Sequence, residues 1–270
     1  SAGSNWSALS SHAADYLGTP RYLLLAWLCF PFIKALHELG HGLAVRRWGG
    51  AVHEAGFSLF VLVPAPYVNA SASAAFPLRR QRLAVCAAGI MIELALAAGA
   101  LAVWLNVQPG LVRDMAFVTL FIASVSTLLF NGNPLLRFDG YYVLADAIEI
   151  PNLGARANAY WGYLARRYLF AGKDATPPSR DRGERAWFVG YGAAAFVYRF
   201  YVVFLILLYV GTKFFAVGVL LALWAAITQV LTPIGKSLRQ LFASQQLRRN
   251  RGRAVTTAAL ITAAFGGLLF

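Results

Sequence analysis

The chain has 270 residues, 59% of them hydrophobic, and a mean hydropathy of +0.58. That composition excludes an ordinary soluble domain, which could not hide so much apolar surface from water. The formal net charge is +13, yet nucleic-acid binding is argued against by where the charges fall, between apolar runs in the manner of basic loops on one side of a membrane.

In chain order, a first apolar span is expected at about 20–45, ending at Arg46-Arg47-Trp48-Gly49-Gly50, where basic residues and glycines mark an exit into the cytosol. No initiator methionine and no cleavable signal pattern precede it, so a piece of a longer protein is expected. Inside the span stands His37-Glu38-Leu39-Gly40-His41. Residues i and i+4 share a helix face, so both imidazoles can reach one zinc ion while Glu38 stands beside it. Ionisable groups within a span are costly and functional by default. Lys34, one turn earlier, reads as a structural or charge-balancing lysine. The apolar, β-branched run from Gly56 to Val63, broken by Pro64-Ala65-Pro66, then predicts a short β-ribbon over 57–69 at the inner membrane face.

A second span, at about 83–107, carries Glu93. A third, at about 112–130, stops at Asn131-Gly132-Asn133-Pro134, and Leu135 to Leu144 resumes as a shorter apolar segment. Such a break at membrane depth is tolerated only inside protein or beside a water-filled cavity. Asn152 to Gly172 predicts an interfacial helix, and Lys173 to Ser179 a polar linker. Spans at about 186–211, with Arg199 inside, and 213–232 follow, then a surface helix at 236–249 and a sixth span, Ala254 to Phe270, cut off by the end of the chain. The fold class expected is an all-α polytopic membrane protein of about six transmembrane helices with a short membrane-associated β-ribbon near the active site. One membrane domain covers 1–253, with a metal core at 22–150 and extra spans at 186–232; residues 254–270 begin the truncated span.

With the N-terminus outside, the inside segments hold Arg46, Arg47, Arg79, Arg80, Arg82, the Arg-rich 137–185 stretch and the 236–253 cluster. The outside segments hold only Arg21, Arg113 and Lys213. This asymmetry sets the orientation and lays the basic clusters against anionic headgroups of the lipid bilayer. Cys29 and Cys86 fall inside spans and read as apolar packing residues. Four histidines in the whole chain make an all-imidazole site hard to build, so the third ligand is expected to be a carboxylate. Asp139 can return to the depth of the histidines if the chain dips back after Pro134. Glu93 is its competitor, and His53 and Glu54, beyond the glycine break, rank lower.

These residues carry a resemblance. His37-Glu38-Leu39-Gly40-His41, with Asn131-x-x-Pro134 and Asp139-Gly140 about a hundred residues later, resembles the site-2 protease family of intramembrane zinc metalloproteases. The longer string from Asn131 to Tyr142, with Val45-Arg46-Arg47-Trp48-Gly49-Gly50, is similar to a bacterial branch of peptide zinc metalloproteases often associated with secretion adaptors. The resemblance implies one catalytic zinc held by His37, His41 and Asp139, with Glu38 as general base toward a water that the zinc acidifies. It further implies that Asn131 contacts substrate or helps hold oxyanion charge. The implied partner is a membrane-embedded protein or peptide substrate, and the implied location is the bacterial cytoplasmic (inner) membrane, with the site near the cytosolic face. One departure stands out. Where many members carry Gly-Pro-x-x-Asn, this chain has Gly89-Ile90-Met91-Ile92-Glu93. Glu93 then either adds a negative charge near the zinc or is a buried, protonated structural group.

The rival from another class is a non-catalytic membrane subunit of a peptide or protein export system that retains the metal-site scaffold. A metal transporter is the weaker third reading, because its pathway should show acidic or histidine residues at successive depths of several spans.

Overall fold

The structure, a computed structural model, describes residues 19–60, 63–165, 167, 177–179, 181–213, 215–232 and 235. The expected surface helix at 236–249, the sixth span at 254–270 and most of the 173–179 linker lie outside these residues. Among the described residues, four helices are long and apolar enough to cross a membrane: Pro20–Arg47, Arg79–Asn106, Leu111–Asn131 and Arg182–Thr212. They answer the first four expected spans. Within the expected 213–232 span lie the helix Phe215–Ala225 and a π-helical turn over Ala226–Leu231 that extends it.

Contacts divide the chain after Pro151 into two compact units. The first is built on three helices: α1 (Pro20–Arg47), α2 (Arg79–Asn106) and α3 (Leu111–Val125). Pro20 suits the first helical turn, where its missing N–H costs nothing. Along α1 the buried residues Tyr22, Leu25, Cys29, Ile33, His37, His41 and Val45 recur at three- and four-residue spacing, the stripe of one helix face. The opposite face is apolar too, and Leu24, Leu28, Phe32, Leu39 and Leu43 lie exposed. A helix that is apolar all round belongs in a bilayer or a large core. The N-terminal half of the α1 stripe packs with Ala97 and Trp104 of α2 and with Phe117, Val118 and Ala123 of α3. Asp114 clasps the same end, accepting from Tyr22 Oη at 2.6 Å and pairing with Arg21 at 2.5 Å.

α1 stops where Gly49 turns left-handed (φ 78°) and Gly50 N–H caps Val45 O at 3.1 Å. Only a glycine adopts that conformation at no cost. The ribbon follows as β1 (Ala55–Phe60) and β2 (Val63–Val68), antiparallel, with Ala55 opposite Val68 and Phe57 opposite Pro66. Asn69 N–H donates to Glu54 O at 2.9 Å, which fixes the hydrogen-bonded pairs as alternate ones and turns the backbone groups of 64, 66 and 68 outward from β1. Prolines at 64 and 66 therefore cost no ladder bond. At the third outward position, the N–H of Val68 donates to Glu38 Oε2 at 3.0 Å, tying the ribbon to α1.

α3 continues into a π-helical turn, Ser126–Asn131, and the chain reverses through Gly132–Phe138 into α4 (Asp139–Ala147). Asn133 Oδ1 accepts from Leu135 N–H at 2.9 Å, an Asx turn that stabilises the reversal. A side chain on Gly140 would stand 2.4 Å from Gly132 O, so the reversal closes only with glycine there.

The second unit contains α5 (Leu153–Leu164), α6 (Arg182–Lys213) and α7 (Phe215–Ala225). The helix expected at the interface over 152–172 turns its apolar face onto α6. Tyr160 meets Phe188 at 5.9 Å between ring centroids, and Trp161 occupies the space that Gly192 leaves. Arg156 pairs with Glu184 at 2.5 Å and lies over the Phe188 ring. Arg199 donates to Ala195 O of its own helix at 3.0 Å.

Candidate metal centre

Two elements bring three acceptors to one point. His37 and His41 come from successive turns of α1, and Asp139 from the first residue of α4. His37 Nε2 lies 3.0 Å from Asp139 Oδ2, His41 Nε2 lies 3.2 Å from the same oxygen, and the two Nε2 atoms are 3.2 Å apart. Both imidazoles are buried and Asp139 is half-buried. Among the described residues this is the cluster of His, Cys, Asp and Glu side chains close enough to hold a metal ion.

The far nitrogens explain the orientation. His41 Nδ1 is 2.8 Å from Val85 O, a carbonyl that can only accept, so Nδ1 carries the proton. His37 Nδ1 lies 3.1 Å from Glu93 Oε1, at ion-pair distance though without the alignment of a full hydrogen bond. With both Nδ1 atoms facing acceptors, both Nε2 atoms present lone pairs, and Asp139 adds a third. Three acceptors at 3.0–3.2 Å repel unless a cation lies among them. Tetrahedral zinc with bonds of about 2.0–2.1 Å sets its ligands about 3.3 Å apart, so the donor set fits that ion.

Room for the rings comes from α2. A Cβ at Gly89 would stand 2.4 Å from His37 Cε1 and 2.6 Å from His41 Nε2. Glu38 Oε1 is 4.0 Å from His37 Nε2, and its other oxygen takes the Val68 N–H. Glu38 thus stands beside the three acceptors rather than among them.

Of the expected site residues, His37, His41, Asp139 and Glu38 come together. Glu93, the competing ligand, stands behind His37 on its Nδ1 side, fully buried. Asn131 faces Glu93 and donates its amide to both carboxylate oxygens at 3.0 Å. His53 and Glu54 are exposed at the base of the ribbon, where Glu54 Oε1 accepts from Tyr67 Oη at 3.2 Å. Sequence reasoning missed the Val85 carbonyl and the Val68 N–H, since a backbone group leaves no trace in side-chain identity. Thr127, a donor to Glu93, carried no signal either. Gly89 did: it lies one turn before Glu93 on the same face of α2.

Within the first unit, three membrane-length helices and the short α4 enclose a centre of three converging acceptors. Comparison with protein-family models, with curated proteins and with solved structures finds no match to the chain.

Proposed function

We propose that this protein is an intramembrane zinc metallopeptidase of the site-2 protease type, with zinc held by His37, His41 and Asp139. The observation that carries the reading is the convergence of His37 Nε2, His41 Nε2 and Asp139 Oδ2 with a carboxylate at their side. Bound zinc would supply the Lewis acidity that makes a water nucleophilic near neutral pH. Glu38 then acts as general base: the Val68 N–H holds one oxygen and leaves the other to take the proton. A helical substrate hides its carbonyls, so its cleaved segment must be extended and find new backbone partners. The outer edge of β2 offers them with a bias, since Pro64 and Pro66 present carbonyls and no N–H. Strand addition there would seat a segment that donates at alternate residues. The setting that goes with this activity is the bacterial inner membrane, six spans, a site toward the cytosol and a possible secretion adaptor as partner.

One observation favours the rival export subunit. Asn131, the residue assigned to the substrate, gives its amide to Glu93. The test compares wild type with Glu38→Gln in liposomes holding candidate substrate helices, with zinc measured in both. Cleavage lost and zinc kept supports the peptidase. Zinc in both with cleavage by neither, across a broad panel, favours the export subunit, and a wild type without zinc refutes both.

A further inference from the structure

Glu93 is a carboxylate buried to 0% exposure between three helices, where an uncompensated charge would be prohibitive. Four groups surround it. Lys34 Nζ donates to Oε1 at 2.5 Å, Asn131 Nδ2 reaches both oxygens at 3.0 Å, Thr127 Oγ1 donates to Oε2, and His37 Nδ1 stands 3.1 Å from Oε1. Lys34 is fixed in turn by Ser126 Oγ at 3.0 Å. Ser126, Thr127 and Asn131 all belong to the π-helical turn of α3. A π-turn inserts extra width into a helix and recurs at functional sites. Here it aims three polar side chains of one turn at a single point on α2 and α1.

Much of this construction is more than packing a bundle requires, since a buried ion pair is seldom more stabilising than apolar residues of the same shape. What the ion pair does that leucine could not is face the outer nitrogen of a metal-binding histidine. We propose that Glu93 is a positioning residue for the metal centre: charge-balanced by Lys34 and clamped by the π-turn, it holds the His37 imidazole with Nε2 toward Asp139 and raises its basicity as a ligand. A carboxylate behind a ligating histidine does both. The inference rests on the zinc reading above and adds a second layer to it. Asn131 becomes, on this account, part of the clamp. Glu93 contributes its charge from behind His37 and is neither a ligand nor a protonated filler.

The test uses the full chain in detergent, with zinc affinity measured by chelator competition, the cobalt-substituted absorption spectrum recorded, and thermal unfolding run in parallel. Glu93→Gln keeps the shape and removes the charge; because it strands Lys34, the double variant Lys34→Met/Glu93→Gln removes both charges together. The double variant should unfold at or above the wild-type temperature, bind zinc about 10- to 100-fold more weakly and shift its cobalt bands. A double variant with wild-type zinc affinity and an unchanged cobalt spectrum overturns the proposal, whatever its stability. So does a fall in zinc affinity that only tracks a fall in unfolding temperature across the single and double variants. Failure of the underlying reading looks different: there, wild type and His37→Ala/His41→Ala bind zinc equally.

Discussion

Gly89→Ala places a methyl group where α2 passes beneath both imidazoles. Its Cβ would stand 2.4 Å from His37 Cε1, 2.5 Å from His37 Nε2 and 2.6 Å from His41 Nε2. Non-bonded carbons settle at about 3.5–4.0 Å, so each ring must retreat by roughly 1 Å. Neither ring has slack. Glu93 stands 3.1 Å behind His37, and Val85 O holds His41 at 2.8 Å. Overpacking of this kind costs about 1–3 kcal/mol of stability. The effect on the metal is larger, because ligand distances tolerate only about 0.2 Å. Zinc affinity should fall by at least the roughly 10- to 100-fold that follows loss of an outer partner. Gly99→Ala, on the same helix, has nothing within 4 Å of its new Cβ. It should leave zinc affinity unchanged and leave stability equal or higher by up to about 1 kcal/mol, from helix propensity. Chelator competition and thermal unfolding on both variants give the comparison. A Gly89→Ala protein that binds zinc as wild type does, or two variants equally impaired, would refute the account of the centre.

Asp139→Ala removes the third acceptor and should empty the centre of zinc, whereas Glu54→Ala, at an exposed carboxylate on the ribbon, should leave occupancy intact; metal analysis of the purified variants checks the pair. Tyr22→Phe deletes a 2.6 Å hydrogen bond to Asp114 at the far end of the helices. It should lower stability by about 1.5–3 kcal/mol, the range for bonds to a charged acceptor, with zinc affinity unmoved. In the second unit, Gly192→Ala brings a Cβ to 2.4 Å from Trp161 Nε1. A loss of about 1–3 kcal/mol is expected, recovered when Trp161 is also cut to alanine, and thermal unfolding of both variants decides it.

The histidine pair and the four long apolar helices could be read from the chain because each is a local pattern: spacing of four on one helix, or some twenty apolar residues in a row. The ribbon was legible through its aromatic and β-branched residues, but Pro64 and Pro66, expected to break the run, lie inside β2, where their missing N–H groups face away from the ladder. Asp139 was one of two carboxylates at a plausible depth, and residue identities could not decide between it and Glu93. The reversal after Asn131 brings Asp139, and not Glu93, beside the two Nε2 atoms. With Gly140 packed on Gly132 O, α4 begins at Asp139 and delivers its carboxylate to the histidines. The π-turn was hidden for a different reason. Ser126 to Phe130 reads as ordinary helix, and the partners that its polar side chains meet, Glu93 and Lys34, lie far away in the sequence.

One face of α2 ties these strands together. Val85, Gly89 and Glu93 fall four residues apart, one per turn, all buried against α1. At the first turn a backbone carbonyl accepts the His41 Nδ1–H; at the second a missing side chain makes space for both rings; at the third a carboxylate meets His37. Residues four apart drift only slightly around a helix, so one straight segment of α2 can serve two imidazoles that are themselves four apart on α1. The match of spacings is why the two helices can set both rings without a loop between them. It also gives the ordering of damage to expect along α2. Val85, acting through its backbone, should accept other side chains of similar volume; Glu93 should accept a neutral isostere at the cost of metal affinity; Gly89 should accept nothing.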